Sequence, residues 1–146
     1  MKKLVAALSL VALATSASAL TDEDWIVKSL GDDPITYTVL PQTVTRVETS
    51  DGIETRVVVE FSSASDPNVL RGRLRVSGCR AGTGKVVIAR MDSSLIKNAT
   101  IFDWDRNGER VYDMLAVRGC VAGFEKDKQQ SQPQPVKPTK GTGRAA

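Results

Sequence analysis

The chain contains two cysteines, Cys79 and Cys120, so only one disulfide within the chain is possible. That bond would close a loop of about 40 residues, which stabilises a fold by roughly 4 kcal/mol in the chain-entropy model. Small domains are usually stable by only about 5–15 kcal/mol in total, so this contribution is a large one. The alternative is a redox-active pair, but such pairs usually have the C-x-x-C spacing, which is absent here. We therefore expect a structural disulfide.

The N-terminal residues have the three parts of a secretory signal peptide. Two lysines follow Met1, residues 4–14 are apolar and uncharged, and Ala17-Ser18-Ala19 is a small-x-small cleavage site. The apolar run is shorter than the roughly 20 residues that span a bilayer, and no later segment reaches that length, so we expect no transmembrane segment. An N-terminal core helix is the alternative. We expect cleavage between Ala19 and Leu20, with export to the periplasm, the cell surface or the extracellular space, where disulfides persist.

Charge and composition divide the chain into three parts. Residues 20–124 carry 13 basic and 15 acidic side chains, whereas residues 125–146 carry five basic and two acidic ones. The latter segment is rich in Gln, Pro, Lys and Gly, and it cannot bury enough apolar surface to offset the entropy cost of ordering. We therefore predict a signal peptide at 1–19, a small domain at 20–124 and a disordered basic tail at 125–146. The negative net charge of the domain argues against a nucleic acid partner.

Apolar and polar residues alternate through most of the domain, which is typical of strands with one buried face. The predicted strands cover residues 35–40, 43–48, 53–61, 69–76 and 85–91. Asp51 and Gly52 separate two β-branched runs and predict a hairpin. Pro41 is expected to interrupt the strand region that contains it, and residues 92–105 show no pattern that decides between structures.

Residues 109–118 are the best candidate for a helix, because Tyr112, Leu115 and Ala116 fall on one helical face. Gly119 then stands where a glycine often ends a helix. A strand is the alternative for this stretch. We predict an α+β fold, in which one disulfide tethers a C-terminal helix to an antiparallel sheet.

The order of these elements is similar to that of a known family. A tryptophan opens the first strand, a tyrosine-containing strand and a valine-rich hairpin follow, one cysteine ends a later strand, and a second closes a terminal amphipathic segment. These features lie at Trp25, 36–39, 44–61, Cys79 and 113–120. In this order, residues 25–120 resemble the surface-adhesin protein E family of small exported bacterial proteins. The basic tail and the acidic segment 103–113 lie outside the family pattern.

The resemblance to surface-adhesin protein E implies an antiparallel sheet with a disulfide-tethered helix. It also implies a location in the cell envelope or at the surface. In the adhesin members, it implies binding to host glycoproteins. No particular binding residue carries over from the family.

One segment has the spacing that opens a calcium-binding loop. Asp103, Asp105 and Asn107 occupy its first, third and fifth positions, and a glycine follows. Met114 stands at the twelfth position, where a bidentate carboxylate is needed, and Asp113 is one residue early. A Ca²⁺ bound here would be held weakly, with a Kd on the order of 10⁻⁴–10⁻³ M. The alternative is a polar turn that leads into the helix, with Asp105 or Asn107 as its N-cap.

Three arginines share one face of a predicted strand. Arg71, Arg73 and Arg75 alternate with apolar residues. Guanidinium groups arranged in this way are suited to bind sulfated glycans or phosphate. The alternative is a solvated strand face whose arginines pair with carboxylates such as Glu60 on a neighbouring strand.

The chain contains no histidine, which excludes Ser-His-Asp and Cys-His catalysis and zinc sites that need a histidine. Two cysteines are too few for a four-thiolate metal site. Paired carboxylates for glycoside hydrolysis remain open. We predict a non-enzymatic binding or adhesion module of the bacterial cell envelope that needs no cofactor apart from the Ca²⁺ considered above. Its protein or glycan partner is not identified by the sequence. The alternative is a periplasmic accessory or structural factor of an envelope assembly.

Overall fold

The computed structural model describes residues 20–92 and 95–133, and the side chains of these residues except 92–98. The predicted signal peptide at 1–19 and the greater part of the predicted tail lie outside the described residues.

Within the described residues, six strands form one antiparallel sheet in the order in which they occur along the chain. A short 3₁₀ helix precedes the sheet, and one α-helix follows it. The 3₁₀ helix covers Asp22–Trp25, and the other elements are β1 Ile26–Lys28, β2 Ile35–Thr49, β3 Gly52–Ser63, β4 Leu70–Ser77, β5 Thr83–Asp92, β6 Leu95–Asp105 and α1 Val111–Ser131. The structure is mostly sheet, and it confirms the prediction of an antiparallel sheet with a C-terminal helix.

The hairpin between β2 and β3 forms at the predicted dipeptide. Thr49 pairs with Gly52, whose φ of 113° is in the region that glycine tolerates best. The Oγ1 atom of Thr49 also donates a hydrogen bond of 2.8 Å to the carbonyl oxygen of Gly52. The sequence signal therefore located the turn correctly.

Pro41 does not end the strand, contrary to the sequence-based expectation. Strand β2 continues through it, and the pairing with β3 shifts register between Leu40 and Thr45. Thr43 bridges this irregularity, because its Oγ1 atom donates to the carbonyl oxygen of Leu40 at 2.7 Å and accepts from the backbone N–H of Val58 at 2.8 Å. The proline, which has no N–H to offer a neighbouring strand, is thus accommodated at a bulge.

Helix α1 is longer than predicted. It extends to Ser131 rather than ending at residue 118, and its N-cap is Arg110 rather than Asp105 or Asn107. Residues 125–131, which we assigned to the tail, therefore continue the helix. They are held by contacts to β2. Arg46 Nη1 donates to Asp127 Oδ2 at 2.9 Å, and Lys126 Nζ donates to the carbonyl oxygen of Val44 at 2.7 Å.

Gly119 lies inside α1 and does not form its C-cap. A Cβ atom at this position would lie 3.1 Å from Cγ2 of Val76 and 3.2 Å from Cδ2 of Leu74. The missing side chain therefore lets the helix approach β4 closely. Gly119 therefore marks a close packing contact between the helix and the sheet, and not the end of the helix.

The core fills the space between α1 and one face of the sheet. Its apolar residues come from the alternating positions of the strands and from the inner side of the helix. They include Val39, Val57, Val59, Leu74, Val76, Val86, Trp104, Leu115 and Ala116. Among the described residues, no helix is long and apolar enough to cross a membrane.

Cys79 and Cys120 form the predicted disulfide, with their Cα atoms 5.4 Å apart. Strict alternation along β4 would place Cys79 on the arginine side of the sheet. Gly78 ends that alternation with a φ of 77°, and Cys79 is only 5% exposed. The bond joins the turn after β4 to the middle of α1.

The close approach at Gly119 predicts a cost for any larger side chain. We expect Gly119→Val to lower the free energy of unfolding by about 1–3 kcal/mol, because the new methyl groups overpack the contact with Leu74 and Val76. Urea unfolding of the two proteins measures this difference. Gln130→Val, at an exposed position of the same helix, is the control, and its effect should stay within the ~0.7 kcal/mol range of helix propensity. Equal effects of the two changes would contradict the packing explanation.

Candidate functional site

The sheet face opposite α1 carries the three arginines that the sequence singled out. Along β3 and β4, residues on this face alternate with the core residues. We call it the open face and define it by Leu40, Glu54, Arg56, Val58, Glu60, Arg71, Arg73, Arg75, Val87 and Ile101. It combines charged groups with apolar ones, and Ile101 is 63% exposed.

Arg71 at one end of the open face is paired with Glu60. The two residues are direct partners on β4 and β3, and Nε and Nη2 of Arg71 donate to Oε1 of Glu60 at 2.9 and 2.7 Å. This is the pair that the solvated-face interpretation anticipated. It neutralises Arg71, but the arginine side chain is 63% exposed, so the pair contributes little to stability.

Arg75 at the other end shares a carboxylate with Arg56. Nε and Nη2 of Arg75 donate to the two carboxylate oxygens of Glu54 at 2.9 and 3.0 Å, and Nε of Arg56 donates to Oε1 at 2.7 Å. Burial by itself raises the pKa of Glu54, but the hydrogen bonds from the two arginines outweigh it and hold the pKa below its ordinary value. Glu54 is therefore ionised at neutral pH, and one positive charge remains on this group of three.

Arg73 lies between these two paired groups. Its direct partners across the sheet are Val58 on β3 and Ala89 on β5, and Val58 in turn faces Leu40 on β2. Arg73 is half-buried, and no carboxylate among the described residues forms an ion pair with it. Arg73 thus carries a charge that no described carboxylate neutralises. The residues in line with it on the neighbouring strands are apolar.

The structure brings Arg71, Arg73 and Arg75 to one face, and it adds Arg56, which sequence reasoning did not single out. The alternation in β3 already placed Arg56 on the same side as Glu60. The pairing of β3 with β4 that places Arg56 opposite Arg75 could not be predicted from the sequence. With four arginines and two glutamates, this part of the open face has an excess of two positive charges. Arg73 is the arginine of this group that forms no ion pair with a described carboxylate.

The predicted calcium ligands lie around the turn between β6 and α1. Asp103 forms an ion pair with Lys85, and its side chain is 79% exposed. Asp105 accepts a hydrogen bond from the backbone N–H of Asn107 at 2.8 Å. The carboxylate of Asp113 is bound by Arg110. The hydrogen bond to Asp105 agrees with the turn alternative, and the calcium site stays a prediction. In the part of the chain that the structure describes, no group of three or more acidic or cysteine side chains is arranged to hold a metal ion.

A cleft of about 640 Å³ lies between β2 and the C-terminal part of α1. Leu20, Trp25 and Pro41 form part of its wall. The lysines at its rim already have partners, since Lys126 donates to Val44 and Lys128 donates to Glu125. The polar groups of this cleft therefore give no sign of a particular ligand.

Comparisons of the chain with protein-family models, with curated proteins and with solved structures found no match. The resemblance to the surface-adhesin protein E family stays a prediction.

Proposed function

We propose that this chain is an exported, non-enzymatic binding module of the bacterial cell envelope, and that its open face binds an anionic glycan. One observation carries the proposal: Arg73 is a half-buried guanidinium without a carboxylate partner among the described residues, at the centre of a sheet face with excess positive charge. The charge of Arg73 therefore gains no ion-pair stabilisation from a described carboxylate. A ligand that brings a sulfate or carboxylate group would gain a charge-assisted hydrogen bond there.

The neighbours of Arg73 favour an extended ligand over a single small ion. Arg71 and Arg75 are already ordered by their glutamates, so they would lose little freedom when an acidic chain lies across the strands. Leu40 and Val58 provide an apolar surface beside the guanidinium for the CH groups of a sugar ring. The strands themselves form a rigid support, which is favourable for a binding site.

The protonation state of Glu54 also supports a role in binding rather than catalysis. The pKa of Glu54 is below its ordinary value, so this carboxylate holds no proton to donate at neutral pH. Its oxygens are occupied by Arg56 and Arg75. A general acid for glycoside hydrolysis needs the opposite, a raised pKa and free access to the substrate.

Arg73→Gln should weaken binding of a sulfated heparin oligosaccharide by about tenfold or more, the equivalent of one charge-assisted hydrogen bond of ~1.5–3 kcal/mol. Titration at constant ionic strength measures the effect, because exposed charges are screened by salt. Lys128→Gln removes the same charge at the far end of α1 and serves as the control. An equal loss in both variants would mean that binding depends on the net charge of the protein and not on Arg73. No loss in Arg73→Gln would contradict the proposed site.

The location of the native protein separates the two roles left open by the sequence. Exposure at the cell surface, measured by protease accessibility of intact cells, supports adhesion. A soluble periplasmic pool supports an accessory factor of an envelope assembly.

A further inference from the structure

A second, smaller cleft lies on another part of the molecule, between β1, the turn before α1 and the first half of α1. Its volume is about 260 Å³. Its lining contains three cationic residues, Lys28, Arg106 and Arg118, and no acidic one. Most of the other lining residues are apolar, among them Ile26, Met114 and Val117. The cleft therefore combines positive charge with an apolar wall.

The cations of this cleft are not neutralised by its own walls. Arg106 is fixed by a hydrogen bond of 3.0 Å from its Nη2 atom to the carbonyl oxygen of Cys79, which leaves its charge uncompensated. Lys28 and Arg118 form no ion pair with any described carboxylate. The arrangement concentrates positive charge around a small volume.

Two carboxylates near the cleft, those of Asp24 and Asp113, are engaged elsewhere. Asp24 accepts hydrogen bonds from the backbone N–H and the hydroxyl group of Thr21, at 2.7 and 3.1 Å. Arg118 acts on Asp24 through its charge alone, as the smallest of the influences that lower the pKa of that carboxyl. The carboxylate of Asp113 accepts a hydrogen bond from Nε of Arg110. These two carboxylates thus have partners other than the lysine and arginines of the cleft.

The apolar wall and the volume restrict what can fill the cleft. Val27 belongs to the core, and Met114 and Arg118 stand one helical turn apart on α1, so an apolar and a cationic group line the cleft together. The cleft is small, at about 260 Å³. A bare inorganic anion would leave the apolar wall uncovered, whereas a short aliphatic chain would pack against it.

We propose that this cleft binds a short aliphatic carboxylate. The carboxylate group lies among Lys28, Arg106 and Arg118, and a chain of about six carbons packs against Ile26, Met114 and Val117. The cleft shares none of the residues that define the open face, and the proposal does not depend on the glycan proposal.

Hexanoate, with about eight non-hydrogen atoms, is the probe that tests the site. Backbone amide NMR of the mature chain should show chemical-shift changes at Ile26–Lys28, Gly108 and Met114–Arg118 that saturate with a Kd on the order of 10⁻³ M, as expected for so small a ligand. Acetate keeps the charge and loses the chain, whereas 1-hexanol keeps the chain and loses the charge. Each should bind at least about tenfold more weakly at the same ionic strength, since each lacks one half of the interaction.

The double variant Lys28→Gln/Arg118→Gln should weaken hexanoate binding by about tenfold or more and leave the binding of 1-hexanol unchanged. Arg106 stays in place because it also holds the turn through Cys79. Lys128→Gln is the matched control, and an unchanged melting temperature shows that the variants are folded. Three results would each overturn the proposal: hexanoate binding no tighter than acetate, equal binding of hexanoate and 1-hexanol, or shifts that map outside the cleft. Heparin binding is read separately with Arg73→Gln, which leaves Lys28 and Arg118 in place, so failure of one proposal is distinguishable from failure of the other.

Discussion

Removal of the disulfide by Cys79→Ala/Cys120→Ala is expected to lower the free energy of unfolding by about 2–5 kcal/mol, the usual cost for a small exported domain. The two cysteines are 41 residues apart in sequence, and the bond is buried between the turn after β4 and the middle of α1. Without it, the unfolded chain gains the freedom of the whole loop, and the helix is held to the sheet only by packing and side-chain hydrogen bonds. Urea unfolding at constant pH measures the difference.

Reduction of the wild-type protein provides the control for the disulfide prediction. Added dithiothreitol should bring its unfolding midpoint close to that of the double variant and should leave the double variant unchanged. The intact mass of the native protein should be lower than that of the dithiol form by one hydrogen molecule. Two free thiols in unreduced native protein, or a double variant as stable as the wild type, would contradict the prediction.

The strands were predictable because one buried face imposes a two-residue period on the sequence. Thr55, Val57 and Val59 show that period, and all three are buried. Strand β6 was missed even though Phe102 and Trp104 point to the core with Asp103 on the open side. The polar residues that precede this short run concealed it, and the acidic positions were interpreted as cation ligands.

The C-terminal part of α1 was missed for a different reason. Residues 125–131 contain few apolar side chains, and composition alone favours a disordered tail. Their helical structure is stabilised by partners about 80 positions earlier in the chain. Arg46 binds Asp127 and packs over the ring of Phe124, and Lys126 reaches the backbone of Val44. Contacts over such a separation leave no local pattern to detect.

The arginine spacing on β4 predicted which side chains share a face, but it did not predict which of them are neutralised. The sheet register decides that. It sets Glu60 opposite Arg71 and sets Val58 opposite Arg73. A shift of the register would exchange these partners, so the uncompensated charge of Arg73 is a property of the assembled sheet.

Replacement of Asp113, at the joint between β6 and α1, should lower the free energy of unfolding substantially. Its side chain is fully buried, and its carboxylate accepts four hydrogen bonds. The backbone N–H of Asp105 and Nη2 of Arg110 each donate to Oδ1 at 2.9 Å, while the backbone N–H and Nε of Arg110 donate to Oδ2 at 3.2 and 2.6 Å. The residue therefore ties the end of the sheet to the first turn of the helix.

Asp113→Ala is expected to destabilise the fold by about 2–4 kcal/mol. This lies between the ~1–3 kcal/mol for leaving buried hydrogen-bond donors without a partner and the ~3–5 kcal/mol for breaking a buried ion pair, since the Arg110 side chain is half exposed. Asp113→Asn keeps the shape and part of the hydrogen bonding, so its cost should be smaller. Thermal and urea unfolding at neutral pH measure both variants. Asp103→Asn removes an exposed carboxylate near the same turn and is the matched control.

The pH dependence of stability distinguishes the charge of Asp113 from its shape. The hydrogen bonds from Arg110 hold the pKa of Asp113 below its ordinary value, although burial opposes them. A carboxyl whose pKa is lower in the folded than in the unfolded state contributes stability that is fully present above the unfolded pKa of about 3.9 and is lost as the pH falls through the folded pKa. Wild type and Asp113→Asn should therefore differ most above about pH 5 and converge in acid. Asp103→Asn should not reproduce this convergence. A constant difference between wild type and Asp113→Asn at every pH would mean that Asp113 stabilises the joint through packing and not through its ionised carboxylate.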